Sequence, residues 1–153
     1  MRSKMRFAAH AVVICALSLS CSYTSASSLS LGNDALAALQ AKADQAEPTH
    51  RCVLYAELVS RMTDPAGQQF NSGDSAQASE TLTLVRQYAE KIQIAIADDG
   101  KKLKNAESFL RRSSFRLKAI LHEAPFDDRP ALEVTLKQVN EVQAQLMIQV
   151  FKK

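Results

Sequence analysis

The 153-residue sequence predicts an all-α fold: an antiparallel bundle of three to four helices, one of them a long, heptad-patterned central helix. Three observations carry this. Four Gly and four Pro are too few for the turns of a sandwich or barrel, and aromatics at 6% are too few for its strands. Apolar residues recur at every third or fourth position along most of the chain. A composition of 46% hydrophobic and 23% charged residues excludes collagen-like, disordered and disulfide-scaffold classes, leaving one domain with a core of its own.

The first 26 residues are expected to be a leader, a signal peptide. Arg2, Lys4 and Arg6 form a basic n-region, Phe7–Ser20 a short apolar run, and Thr24-Ser25-Ala26 a small-residue site for cleavage after Ala26. The competing reading is a membrane anchor. The fourteen residues of Phe7–Ser20 would span about 21 Å as a helix, short of the ~30 Å hydrocarbon core, and His10 interrupts them. An exported protein is therefore expected, periplasmic or secreted. Leu19-Ser20-Cys21 offers an alternative, because a small residue before Cys resembles a bacterial lipoprotein signal. Ser18 departs from that pattern, where an aliphatic residue is usual. Lipidated Cys21 would tether the protein to the envelope through a Ser-rich linker over residues 27–33. Membrane contact is expected only in that case.

The leader also explains the net charge. The chain holds 19 Lys and Arg against 16 Asp and Glu, but residues 1–26 contribute three bases and no acid. Residues 27–153 therefore balance to zero with His neutral, and the basic pI is no argument for a nucleic-acid partner.

Residues 34–153 form the predicted bundle domain. Asn33 or Asp34 caps a first helix carrying Leu36, Leu39, Ala43 and Ala46, interrupted near Pro48. A second apolar series runs Cys52, Ala56, Val59, Thr63, Ala66, Phe70. It keeps its register through Asp64-Pro65, so the helix is expected to bend at Pro65 and continue. Asn71-Ser72-Gly73-Asp74 then turns the chain, with Gly73 suited to a left-handed position and Asp74 with Gln77 to a capping box. From Leu82 the seam reads Val85, Ala89, Ile92, Ile96, Asp99, Leu103, Ala106, Leu110, Ser113, Leu117, Ile120, alternating steps of three and four. That unbroken phase predicts one helix from about Ser75 to His122, with Gly100 as its weak point. Ala124-Pro125-Phe126-Asp127 ends it. Asp128 caps a last helix with Pro130 in its first turn and Leu132, Leu136, Val139, Val142, Leu146 and Val150 on its apolar face.

Likenesses to two known families are visible. Phe70-Asn71-Ser72-Gly73-Asp74, with Ala78 and Leu82, resembles the inter-helix part of a tetratricopeptide repeat, in a single copy. The stretches Cys52-Val53-Leu54-Tyr55-Ala56-Glu57-Leu58-Val59, Tyr88-Ala89-Glu90-Lys91-Ile92, Lys101-Lys102-Leu103-Lys104-Asn105-Ala106-Glu107 and Asp127-Asp128-Arg129-Pro130 resemble a family of small, signal-bearing helical proteins of acidobacterial type. That likeness implies a bacterial exported protein and carries over no catalytic residue.

Candidate sites are few. Seven bases and one acid, Glu107, lie between Lys101 and Lys118, and Lys104, Arg111 and Lys118 recur every seven residues with Arg112 beside them. This is a candidate patch for a polyanion or an acidic partner. The competing reading is the solvated face of a helix, balanced by Asp127 and Asp128. No aromatic interleaving supports base stacking. His50 and Cys52 could supply two metal ligands where zinc wants three or four, so no metal is expected. Cys52 on an apolar face is expected to be buried, the alternative being a disulfide between chains. Asp99 and Ser113 interrupt the seam and could line a ligand pocket between helices. Asp98-Asp99 and Asp127-Asp128 are adjacent residues pointing apart, and neither makes a catalytic pair. No nucleophile elbow, metalloprotease, phosphate-loop or dinucleotide signature is present, so neither an enzyme nor a cofactor is expected. The sequence reads as a non-enzymatic protein-interaction or structural module of the cell envelope, acting through a protein partner or self-association. The alternative is a small-ligand or stress-sensing bundle.

Overall fold

The computed structural model describes residues 26–96 and 103–152. Among the described residues are five α-helices and no strand: α1 (Ala26–Gln45), α2 (Pro48–Asn71), α3 (Ser75–Ala95), α4 (Leu103–Glu123) and α5 (Arg129–Phe151), with a 3-10 turn at Phe126–Asp128. The fold is an all-α bundle. Its first helix starts earlier than its expected cap at Asn33 or Asp34, and residues 27–33, expected as a linker, are helical. Serine costs only about half a kcal/mol per helical residue relative to Ala. With no Pro before Pro48, the helix runs from Ala26 through Gly32 and Asn33 without a break.

Glu47 ends the first run because the residue before a proline avoids helical geometry, and its φ −57°, ψ 148° are extended. Pro48 then opens α2, which continues through Pro65 as the register predicts. Cys52, Ala56, Val59, Thr63, Ala66 and Phe70 are all buried. The α2–α3 turn is a Schellman motif, with Asp74 N–H donating to Gln69 O at 2.8 Å and Gly73 N–H to Phe70 O at 3.0 Å. Gly73 takes φ +81°, a conformation a Cβ would strain. Asp74 accepts from Gln77 N–H and caps α3.

The single long helix expected over Ser75–His122 is not formed. Thr81 on α3 hydrogen-bonds Gln69, and Ile120 on α4 lies against Gly67, so both ends of the expected helix meet the same end of α2. A continuous helix would separate residues 81 and 120 by about 58 Å. The chain instead returns, α3 antiparallel and α4 parallel to α2, the latter tied by Arg116 to Asp64 at 2.7 Å. The link containing Asp98, Asp99, Gly100, Lys101 and Lys102 lies outside the described residues.

Helix α5 runs back along α4, with Ser114 donating to Gln143, and beside α3, with Gln138 donating to the Arg86 carbonyl. Thus α2 and α5 are each flanked by α3 and α4, which face one another across the core. Helix α1 packs on α2. Asp128 precedes α5 as expected, yet it does not cap it. Its backbone is helical (φ −90°, ψ −18°) rather than extended, and its carboxylate accepts from Ser75 Oγ at 2.8 Å.

Leu82, Val85, Ala89, Ile92, Leu103, Ala106, Leu110, Ser113 and Leu117 are all buried, so the heptad phase is correct on both sides of the return. Leu132, Val139, Val142 and Leu146 complete the core.

Candidate functional site

On α4, residues seven apart differ by only about 20° around the axis, so Lys104, Arg111 and Lys118 form one stripe. All three, and Arg112, are exposed. Arg111 Nε lies 3.9 Å from Glu107 Oε1, at the limit of pairing, and Glu107 also accepts from Gln143. Lys104, Arg112 and Lys118 make no ion pair among the described residues. Asp127 and Asp128, expected to balance the stripe, make no ion pair with it among the described residues, and Asp128 accepts from Ser75 Oγ.

Phe115 corrects the expectation about aromatics. It stands three or four residues from Arg111, Arg112 and Lys118, hence on their side of the helix, and is 74% exposed. The outer face of α4 is cationic with an apolar centre.

A second cluster forms where α1 meets α2 and α3. Tyr55 and Tyr88 are buried, their rings stacked at 6.0 Å with 24° between planes. Tyr55 Oη donates to Asp44 Oδ1 at 2.7 Å, and Lys91 Nζ reaches the same oxygen at 3.2 Å. The ammonium sits 5.1 Å from the Tyr55 ring centre and 5.6 Å from that of Tyr88, within cation–π range. The Tyr55 hydrogen bond, then Lys91, hold the Asp44 carboxyl below its ordinary value. Burial, then the bond to Asp44, push the Tyr55 phenol up to about 12, and burial raises Tyr88 likewise. Two neutral phenols and one ion pair result.

Beside this cluster Arg51 Nη2 donates to the Ala46 carbonyl at 2.9 Å, while its Nε is buried without a hydrogen-bond partner. A cleft of about 170 Å³ opens here, lined by Pro48, Arg51, Tyr55, Lys91, Ile94 and Ala95. A larger cleft of about 580 Å³ lies on the α4 side of the same corner, walled by Lys42, His50, Val53, Leu54 and Asn105 among others.

The remaining predicted positions do not gather into a site. Cys52 is 1% exposed and its thiol is raised to about 11 by burial, which leaves it no access to a second chain. His50 is exposed on α2, and two residues along a helix point about 200° apart, so it and Cys52 diverge. No group of three or more His, Cys, Asp or Glu residues suited to a metal occurs among the described residues. Ser113 donates to the Phe109 carbonyl of its own helix at 3.0 Å, so it offers no free grip on a ligand. Cys21 and Asp99 lie outside the described residues.

Sequence reasoning missed the Asp44–Tyr55–Lys91 cluster because its members are 11 and 47 residues from Asp44. One signal was available: Tyr55 and Tyr88 sit among apolar residues at helical spacing, and a buried phenol needs a partner. Compared with family models, curated proteins and solved structures, the chain matches none.

Proposed function

We propose that this is a non-enzymatic, exported module of the cell envelope that binds an acidic protein partner through the outer face of α4. The observation that supports it is the stripe Lys104, Arg111, Arg112 and Lys118, largely free of compensating acids and centred on exposed Phe115. Charges held without local partners attract an acidic surface over a Debye length, and an aromatic among them supplies apolar contact. A second copy presenting the same stripe would bring like charges together, which disfavours symmetric pairing there.

Export rests on the leader, residues 1–26, and on the resemblance to small exported helical proteins. Envelope tethering through lipidated Cys21 is the variant of that reading, tested by a mass shift at Cys21 and globomycin-sensitive processing.

The test of partner binding is crosslinking in the native host, with mass spectrometry of the captured proteins. Reversing Lys104, Arg111 and Lys118 to Glu is expected to leave helicity and melting unchanged and to abolish the captured acidic partner. Phe115→Ser should weaken capture without altering its salt dependence. Unchanged capture by the triple reversal would sink the proposal.

A further inference from the structure

We propose that the cleft between the first turn of α2 and the last turn of α3 binds a small organic carboxylate, a function separate from docking by α4. Two cationic side chains converge there. Arg51 and Lys91 line the cleft.

Of the two side-chain cations, Lys91 is matched by Asp44, which it meets at 3.2 Å. The guanidinium of Arg51 is not matched. One edge holds the Ala46 carbonyl, a neutral group, and Nε has no partner at all. An underused buried donor is an exception that native structures rarely leave standing. A guanidinium outside any close ion pair attracts a small anion, and its planar donors suit a carboxylate.

The rest of the cleft selects an apolar body. Ile94 and Ala95 of α3 line it together with Pro48 and Tyr55 of α2. Ile94 is 77% exposed and stands on the lip of the cleft, open to a ligand. The volume of about 170 Å³ limits the ligand to a short acid. The carboxylate would sit against Arg51 and the chain against Ile94 and Ala95.

The chain has three tyrosines and no Trp, and Tyr55 and Tyr88 are two of them. Tyrosine emission therefore reports on this cleft. The full chain is titrated with hexanoate, with hexylamine and inorganic phosphate as comparisons, recording tyrosine emission and melting temperature together. Hexanoate is expected to give a saturable change and raise the melting temperature. Arg51→Gln should weaken it roughly tenfold or more, and Ile94→Ser, on the exposed lip, by several-fold. Hexylamine should do nothing, and phosphate should bind more weakly than hexanoate.

No saturable response to hexanoate overturns the proposal. So does equal binding by Arg51→Gln, by hexylamine or by phosphate. If Arg51→Gln loses its helical circular dichroism, Ile94→Ser and the hexylamine comparison decide.

Discussion

Asp44 is where α1 is tied to the rest of the molecule by charge. Its carboxylate accepts from the Tyr55 phenol and pairs with Lys91, while Leu36, Leu39 and Ala43 supply the apolar contact of the same helix. The ion pair is solvated, with both side chains more than 40% exposed, so it contributes little by itself. The shorter bond from the buried Tyr55 does more. Since the Asp44 pKa is depressed in the folded state, its contribution is present above the ordinary carboxylate value and lost as pH falls through the folded value. Hydrogen exchange of amides 34–46 should accelerate relative to α2 on acidification below about pH 4. Asp44→Asn should show that acceleration already at pH 7, with the core of α3 to α5 unchanged. Equal protection in both proteins at pH 7 would show that apolar contact alone holds α1. Asp44 carried no mark in the sequence, because a carboxylate eleven residues from its donor fits no local pattern. Cys52 was legible, since it lies on the apolar stripe of its own helix.

At the scale of elements, the contact between α2 and α4 passes through Gly67. A Cβ added there would lie 3.1 Å from Ile120 Cδ1 and 3.3 Å from its Cγ1. In an isolated helix Gly→Ala gains about 1 kcal/mol, but here the tight contact opposes it. Gly67→Ala is expected to change stability by less than about 0.5 kcal/mol, because these effects nearly cancel. Removing Cδ1 with Ile120→Val should restore the gain, giving a favourable coupling of roughly 0.5–1 kcal/mol in the double-mutant cycle. Additive variants would mean that Ile120 simply rotates away. The elements themselves were readable: six inward positions of α2, the Gly73 turn and the Asp74 cap fall where the sequence puts them. The cap expected from Asp128 failed because its own backbone is already helical, and its carboxylate turns to Ser75, far away in sequence.

The whole molecule turns on the direction of α4. Spin labels at exposed Glu80 and Ala119 distinguish the two arrangements directly. A continuous helix places them about 58 Å apart. The return places their helices across a bundle diagonal of about 14 Å, so the pair distance is expected below about 35 Å with label linkers included. A distribution centred near 58 Å would refute the fold. The same arrangement puts the basic stripe of α4 on an outer face and sets the α1–α2 corner against α3.

Read alone, the sequence determined that the chain is helical, which residues of each helix face inward, and where α2 gives way to α3. All of these depend on residues within about four positions of one another, the range over which helical spacing, capping and turn chemistry act. Tertiary structure alone decided that α3 and α4 fold back, that Phe115 stays exposed among the bases, and that Asp44 meets Tyr55 and Lys91. The physical reason is that an apolar stripe records which side of a helix is covered and not what covers it. The phase shared by Ile96 and Leu103 suits a helix that continues and equally two helices that return to one core.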